Sequence, residues 1–186
     1  MTIGERFPTL LDSARQGDRA SLEALHHDLA PVVIGYLRGQ GAAEPEDLAA
    51  EVFVGVARGL RSFRGDERAF RSWVFSIAHR RLIDERRRLS RRKEQPVDPS
   101  DLAGGLDRSG GDVEAEALAR IGESWVLSAI RRLTPDQRAV LLLRVVADLP
   151  VEEVARILGR TSGAVKAMQR RALSALARQI DREGVS

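Results

Sequence analysis

The sequence predicts an all-α protein of two small helical domains joined by a flexible linker, the second ending in a helix-turn-helix. Apolar residues make up 43% of the 186 residues and aromatic residues only 4%. Ala, Leu and Arg are abundant, which favours helices. Apolar residues recur at helical spacing on both sides of a stretch, 95–112, that is rich in Pro, Gly, Asp and Ser. No strand pattern is strong enough to oppose this fold class.

The first domain, residues 1–93, begins with three predicted helices. Thr9–Arg15 forms a short amphipathic helix, and Ser21 is placed to cap the next one. Pro31 interrupts that second helix and is expected to kink or divide it. Pro45 opens a third helix, where Asp47 and Glu51 lie one turn apart on the polar side. The opposite side of this helix carries an apolar stripe, formed by Leu48, Val52, Val56 and Leu60.

A long fourth helix follows the polar turn 62–68 and runs into a basic block. Its apolar positions are Phe70, Trp73, Val74, Ile77, Ala78 and Leu82. From His79 to Lys93 there are eight Lys/Arg and two acids, a net charge of +6. Aromatic rings can stack on unpaired bases while Arg neutralises phosphates, as a site for single-stranded nucleic acid requires. The alternative is that the aromatics are core and the Arg run is a solvated face, and core is the better interpretation for each ring taken alone.

Residues 94–112 are predicted to form a flexible, acidic linker between the domains. From Glu94 to Ser124 there are eight acids and two Arg, a net charge of −6. Two basic blocks therefore flank an acidic middle. This arrangement suggests two contacts with a polyanion and a connector that avoids it.

The second domain, residues 113–186, ends in a helix-turn-helix at 150–171. It begins with a helix over about 113–133, and Thr134-Pro135 then caps a further helix. In the motif itself Val154 and Leu158 face inward, and Gly159 stands where the turn needs a positive φ. Val165 and Met168 hold the second helix of the motif against the first.

The outward face of that last helix is basic and suits the major groove of DNA. Its residues are Ser162, Lys166, Ala167, Arg170 and Arg171. No acid occurs from Arg160 to Arg178. The alternative is a helical hairpin with a solvated basic face, because helix-turn-helix patterns are only moderately specific.

Composition excludes several other classes of protein and site. The chain has no cysteine, so disulfides, thiolate nucleophiles and cysteine metal sites are absent. Its three histidines, His26, His27 and His79, lack carboxylates at metal-site spacing, and no Gly-rich phosphate loop occurs. We therefore expect no catalytic residues, no cofactor and no metal site. The N-terminus lacks a signal-peptide pattern and no apolar run approaches about 18 residues, so we expect a cytoplasmic protein without membrane insertion.

Three stretches, in this order, resemble the sigma-70-like initiation factors of bacterial RNA polymerase, in particular the small extracytoplasmic-function (ECF) type. EDLAAEVFVGVARGL is similar to a stretch of the second conserved region of that family. FRGDERAFRSWVFSIAHRRLIDERRR resembles its promoter-melting and −10-reading stretch. LTPDQRAVLLLRVVADLPVEEVARILGRTSGAVKAMQRRALSAL resembles its −35-reading domain. The resemblance covers nearly the whole chain except the linker.

The resemblance implies a protein that performs no chemistry and brings core RNA polymerase to promoter DNA. It implies that Asp47 and Glu51 face the clamp helices of the β′ subunit, with β as a further contact. It places Lys166, Arg170 and Arg171, on the basic face named above, on the −35 element. The residues implied on the −10 element are Arg80, Arg81, Arg86, Arg87 and Arg88. An anti-sigma protein is a further implied partner, which no residue of the sequence identifies.

The chain departs from the family pattern at several positions, including Ala50, where Gln is common. Arg80 stands where Asn is common, which leaves the recognised −10 base open. Met168-Gln169 replaces an Arg-Leu-like pair and alters what the last helix can read. Pro150 replaces the usual Ser/Thr cap, so we expect Asp148 to cap instead.

Two other function classes remain as alternatives. The first is a stand-alone helix-turn-helix regulator that dimerises on a palindrome, which the first 93 residues oppose because they show neither a ligand pocket nor a heptad seam. The second is an enzyme acting on nucleic acid, which the lack of a metal or phosphate motif opposes.

Overall fold

Every regular element in the described part of the chain is helical. The computed structural model describes residues 3–94 and 126–183. The elements are a 3-10 turn, Gly4–Arg6, and the helices α1 Phe7–Arg15, α2 Arg19–Gln40, α3 Pro45–Gly59, α4 Glu67–Glu94, the described part of α5 at 126–131, α6 Pro135–Val145, α7 Val151–Leu158 and α8 Ser162–Glu183. The all-α class is confirmed, and no helix among these combines the length and apolar character needed to cross a bilayer.

We call residues 3–94, with α1–α4, the first module. Asp18 caps the start of α2, and its carboxylate accepts the N–H of Ser21 at 2.8 Å. The expectation that Ser21 itself caps α2 was wrong. Ser21 lies inside the first turn, where its backbone N–H donates to the cap residue Asp18. Pro31 does not divide α2, which continues to Gln40.

Two buried stripes form the centre of the first module. On α3 the predicted stripe is confirmed, with Leu48, Val52 and Val56 at most 6% exposed. On α4 the buried positions follow one face of the helix: Phe70, Val74, Phe75, Ala78 and Leu82. Trp73 and Ile77 are only partly buried. The interpretation of the α4 aromatics as core is confirmed for Phe70 and Phe75, whereas Trp73 packs against the core and is only partly buried.

The rings at the start of α4 form one cluster that closes this end of the first module. The Phe63 and Trp73 rings stack with centroids 5.0 Å apart, and Phe70 meets Phe7 of α1 at 5.5 Å. Trp73 lies over Gly59, where an added Cβ would come within 2.7 Å of the indole. The aromatic side chains thus fix the 60–66 turn against α4.

We call residues 126–183, with α5–α8, the second module. Thr134 and Gln137 form a reciprocal capping box at the start of α6, with Pro135 in its first turn, as predicted. Pro150 precedes α7 without a side-chain cap, so the expected cap by Asp148 is wrong. Asp148 instead takes a left-handed conformation, with φ of 51°, in the turn before α7.

Removing the Thr134 cap gives a first measurable test of the fold. We expect Thr134→Ala to lower the free energy of unfolding by about 1 kcal/mol, because the N–H of Gln137 loses its acceptor. Urea unfolding followed by circular dichroism measures the change. Thr134→Ser keeps a hydroxyl at the cap and is the matched control. Equal midpoints for Thr134→Ala and the wild type would contradict the role of this cap.

The two modules share one hydrophobic core. Buried residues of α2 and α4 join those of α6 and α7 in a single cluster that includes Leu37, Leu142 and Val154. Sequence reasoning separated the modules and did not anticipate this packing. The predicted linker 94–112 lies outside the described residues, apart from Glu94 at the end of α4, and so does the predicted helix before residue 126.

Candidate nucleic-acid interface

The helix-turn-helix has the predicted inner and outer faces. Gly159 ends α7 with φ of 61°, which turns the chain toward α8. Thr161 Oγ1 then accepts the N–H of Ala164 at 3.2 Å and starts α8. Val165 and Met168 turn inward with at most 8% exposure. These contacts fix the rotation of α8 and so determine which side chains face solvent.

The solvent face of α8 is cationic. Lys166, Arg170 and Arg171 are exposed, while Ser162 and Ala167 are half-buried beside them. Within the two described ranges, no carboxylate lies within ion-pair distance of these three cations. Since Lys and Arg only donate hydrogen bonds, this face is suited to phosphates and to the acceptor edge of guanine.

The five α4 cations predicted for the −10 element divide into two groups. Arg80, Arg87 and Arg88 are exposed. Arg81 is half-buried and lies 3.6 Å from Glu51 of α3. Arg86 points elsewhere: its Nη2 donates to the backbone oxygen of Gln40 at 2.6 Å and to its Oε1 at 3.0 Å. Of the exposed group, Arg87 lies 3.9 Å from Asp84 on the same helix, whereas Arg80 and Arg88 have no ion-pair partner among the described residues.

The acids predicted for the polymerase lie on the outer face of α3. Asp47 and Glu51 are both exposed, one helical turn apart. Glu51 also meets Arg81 of α4, so the acidic face and the basic face adjoin each other. Two surfaces of opposite charge therefore stand side by side on the first module.

A polar pair of a buried tyrosine and a half-buried histidine joins α2 to α4. The Oη of Tyr36 and the Nδ1 of His79 share a hydrogen bond of 2.8 Å. Burial lowers the pKa of the His79 imidazole, the charge of Arg86 lowers it further, and Asp136 of α6 partly offsets both. Burial likewise raises the pKa of the Tyr36 phenol above its usual range. The pair is neutral at pH 7 and adds no charge to the basic face.

The His79 environment predicts a pH-dependent stability. The unfolded chain protonates His79 near the ordinary histidine pKa of 6.5, whereas the folded protein resists protonation. This contribution to the free energy of unfolding is therefore fully present above pH 6.5. As the pH decreases below 6.5, the free energy of unfolding decreases by up to ~1.4 kcal/mol per pH unit until the folded ring also protonates. Urea unfolding between pH 7.5 and 5.5 measures this fall.

Two variants make the pH test specific. His79→Gln should lose this part of the pH dependence, since the amide does not titrate. His27→Gln alters an exposed histidine and should retain it. If wild type and His79→Gln lose stability in parallel over this range, the assignment to His79 is wrong.

Sequence reasoning missed the residues that join the modules beside these faces. They are Gly35, Gly39, Gln40, Ser72, Arg138 and Glu153. One signal was present: Gly35 and Gly39 are four residues apart, which puts two positions without side chains on one face of α2. Such a face allows another helix to approach closely.

The chain matches two known families in separate ranges. Residues 23–92 match the family described as Sigma-70 region 2. Residues 123–176 match the family described as Sigma-70, region 4. The first range contains the predicted −10 and polymerase residues, and the second contains the helix-turn-helix.

Several characterised proteins are similar over most of this chain. The ECF RNA polymerase sigma factor ShbA of Streptomyces griseus is 32% identical over 174 residues, which are 90% of this chain and 91% of ShbA. SigD of Mycobacterium tuberculosis, also an ECF sigma factor, is 30% identical over 185 residues, covering 95% of this chain and 85% of SigD. BldN of Streptomyces coelicolor, a third ECF sigma factor, is 31% identical over 93% of this chain, which spans 65% of BldN.

The fold is also found in a solved structure. It is CnrH in complex with the cytosolic domain of CnrY, with a TM-score of 0.67 and 21% sequence identity. The alignment covers 96% of this chain and 99% of the other. At this sequence identity the similarity shows a shared fold and does not show that the two proteins bind the same partners.

Proposed function

This chain belongs to the ECF sigma factors of bacterial RNA polymerase, and we propose that it reads promoters through two basic faces while an acidic face binds the polymerase. As a sigma factor it directs promoter recognition and transcription initiation. The observation that carries the finer proposal is that α4 and α8 each present exposed cations to solvent. We further propose that the chain acts in the cytoplasm and leaves all chemistry to the polymerase.

The face of α8 is proposed to read the −35 element. Lys166, Arg170 and Arg171 would contact guanine edges and phosphates, with Ser162 and Ala167 close to the bases. The exposure of the three cations and the absence of competing carboxylates among the described residues support this role. The short side chain of Ala167 leaves room for the helix to enter the groove.

The outer face of α4 is proposed to bind the −10 element. Arg80, Arg81, Arg87 and Arg88 would neutralise phosphates, and Arg86 would join them once it leaves Gln40. These arginines are spread over about two turns of α4, which suits contact with a DNA backbone that runs alongside the helix. An unstacked base costs a few kcal/mol, which contacts to this module would offset.

The outer face of α3 is proposed to bind the β′ clamp helices, with β as a further contact of the chain. Asp47 and Glu51 are exposed and one turn apart, as an acidic face for a cationic helix requires. The neighbouring Arg81 keeps Glu51 partly neutralised, which leaves Asp47 as the stronger free charge.

We also propose domain boundaries at 93 and 113, with an acidic linker over 94–112 that the negative charge keeps off the DNA. CnrH, which shares the fold, is known in complex with the cytosolic domain of CnrY. By analogy we propose that an anti-sigma protein binds the present chain. These assignments need no residue of the chain to act as a catalyst or to hold a metal or cofactor.

Binding measurements with and without purified core polymerase test this function. The chain should co-elute with core polymerase in gel filtration, and selective binding to promoter fragments should require the polymerase. The reason is that each basic face alone offers only a few phosphate contacts. A chain that binds a palindromic duplex as a dimer, with equal selectivity in the absence of polymerase, would instead be a stand-alone regulator.

A further inference from the structure

The turn of the helix-turn-helix carries a cation that the proposed α8 face does not include. Arg160 lies between Gly159, which ends α7, and Thr161, which caps α8. Its side chain is exposed, and its backbone N–H donates to the oxygen of Ala155 at 2.9 Å. This backbone contact holds Arg160 beside the N-terminal end of α8.

The position of Arg160 suits contact with a phosphate and not with a base edge. In helix-turn-helix proteins the N-terminal residues of the second helix contact bases in the major groove, and the first helix crosses the DNA backbone. A residue in the turn between the two helices therefore lies at the edge of the groove, where the backbone runs. A guanidinium there can donate two hydrogen bonds to one phosphate, which adds affinity but carries no sequence information.

In the free chain an acid of α6 occupies this guanidinium. The Nη2 of Arg160 donates to Oδ2 of Asp136 at 2.9 Å, across 24 positions of sequence. Asp136 lies in the first turn of α6, where the helix dipole stabilises a carboxylate. Within 3–94 and 126–183, it is the one carboxylate within ion-pair distance of Arg160. The start of α6 and the turn of the helix-turn-helix are therefore joined by one ion pair.

A carboxylate and a phosphate compete for the same donors. Both present paired oxygens that accept from a guanidinium, so Asp136 occupies the place that a DNA phosphate would take. The side chains of Arg160 and Asp136 are 52% and 57% exposed, and solvent therefore screens their attraction. DNA carries one negative charge per ~1.7 Å of helix axis and attracts a cation more strongly. A phosphate can thus displace Asp136, but the displacement reduces the observed affinity for DNA.

We infer that Arg160 is a further phosphate contact at the −35 element, and that Asp136 lowers the affinity for this element by holding Arg160 in the free chain. Arg160 is then a DNA-binding residue, whereas Asp136 is a positioning residue because it acts through Arg160. The inference rests on the proposed function of α8. It gives α6, which lies outside the recognition helix, a part in setting the strength of promoter binding.

A double-mutant cycle tests the pair in the complex of the full chain with core polymerase. The wild type, Asp136→Asn, Arg160→Gln and the double variant are titrated onto a fragment with an intact −35 element. Asp136→Asn removes the competitor and should raise the affinity about five-fold, the size expected for an exposed ion pair. Arg160→Gln should weaken binding and reduce the salt dependence by about one unit of slope. In the Arg160→Gln background, Asp136→Asn should change the affinity by less than about two-fold.

Asp148→Asn is the matched control for the loss of one negative charge. Asp148 is exposed in the turn before α7, and Asn tolerates its left-handed backbone conformation. This variant should leave the affinity within about two-fold of the wild type. A gain for Asp136→Asn that persists in the Arg160→Gln background would show an effect of charge alone and overturn the inference. An unchanged or reduced affinity for Asp136→Asn would overturn it as well.

The same fragments separate this inference from the proposed function. If Lys166→Ala with Arg170→Ala leaves binding to the −35 element unchanged, α8 does not bind that element and the proposed function is wrong. If this variant weakens binding while Asp136→Asn does not strengthen it, α8 binds the element and only the inference about Asp136 and Arg160 fails.

Discussion

Replacing Lys166 and Arg170 with Ala is expected to weaken binding of the polymerase complex to the −35 element by about 30-fold or more. Each side chain is exposed on α8, and each good contact to a guanine edge contributes about 1–3 kcal/mol. The pair therefore contributes about 2–6 kcal/mol if both contact bases. Affinity for core polymerase should not change, because the face proposed to bind the polymerase lies on α3 of the first module and does not include these residues.

The measurement is equilibrium binding to fragments with an intact or a scrambled −35 element, at several salt concentrations. Loss of phosphate contacts would also reduce the salt dependence, by about one unit of slope per cation. Arg178→Ala, two turns further along α8 and also exposed, is the matched control for loss of charge. If the double variant and Arg178→Ala lose affinity equally on both fragments, α8 contributes charge only and does not read sequence.

Replacing Asp47 and Glu51 with Ala is expected to weaken association with core polymerase by about ten-fold to a hundred-fold. Close charge pairs at protein interfaces have coupling energies of about 1.5 kcal/mol or more, and these two acids are exposed and one turn apart. Asp47→Ala alone should account for most of the loss, because Glu51 is partly neutralised by Arg81. A titration with labelled core polymerase measures the dissociation constants.

The control for this second prediction lies on the same module. Glu23 of α2 is an exposed acid that pairs with Arg19, so Glu23→Ala removes one negative charge away from α3. It should leave core affinity within two-fold of the wild type, on the order of experimental error. Unchanged affinity for Asp47→Ala with Glu51→Ala would remove α3 from the polymerase interface.

The sequence predicted those parts of the fold that local chemistry determines. Helical spacing identified the α3 stripe of Leu48, Val52 and Val56, and turn chemistry identified Gly159 and the cap at Thr134. These features depend on residues within a few positions of one another. The same reasoning placed Lys166 on the outer face of α8, since Val165 and Met168 fix the inner face.

The errors in the predicted helix boundaries arose where two neighbouring residues could both cap a helix, or where burial of the surrounding residues determines whether the helix continues. Asp18 and Ser21 are both cap residues, and the backbone geometry selected the first. Pro31 lacks an N–H, yet Leu29 and Val33 on either side of it are at most 1% exposed, and burial of these neighbours favours an unbroken helix.

The junction of the modules could not be predicted from local pattern. It depends on the fit of Leu142 against Gly39, residues about 100 positions apart in sequence. The position of Arg86 has the same origin, because its acceptor Gln40 belongs to another helix. The arginines of α4 look equivalent in the sequence, whereas the packing of the helices places them in different environments.

The central claim is that this chain directs core polymerase to promoters with two separate sequence elements. Transcription by purified core polymerase from a library of genomic fragments, with and without the chain, tests it most directly when start sites are mapped. We expect new start sites that appear only with the chain and share one motif near −10 and a second near −35. Start sites that are identical with and without the chain, or that share no upstream motif, would contradict the claim.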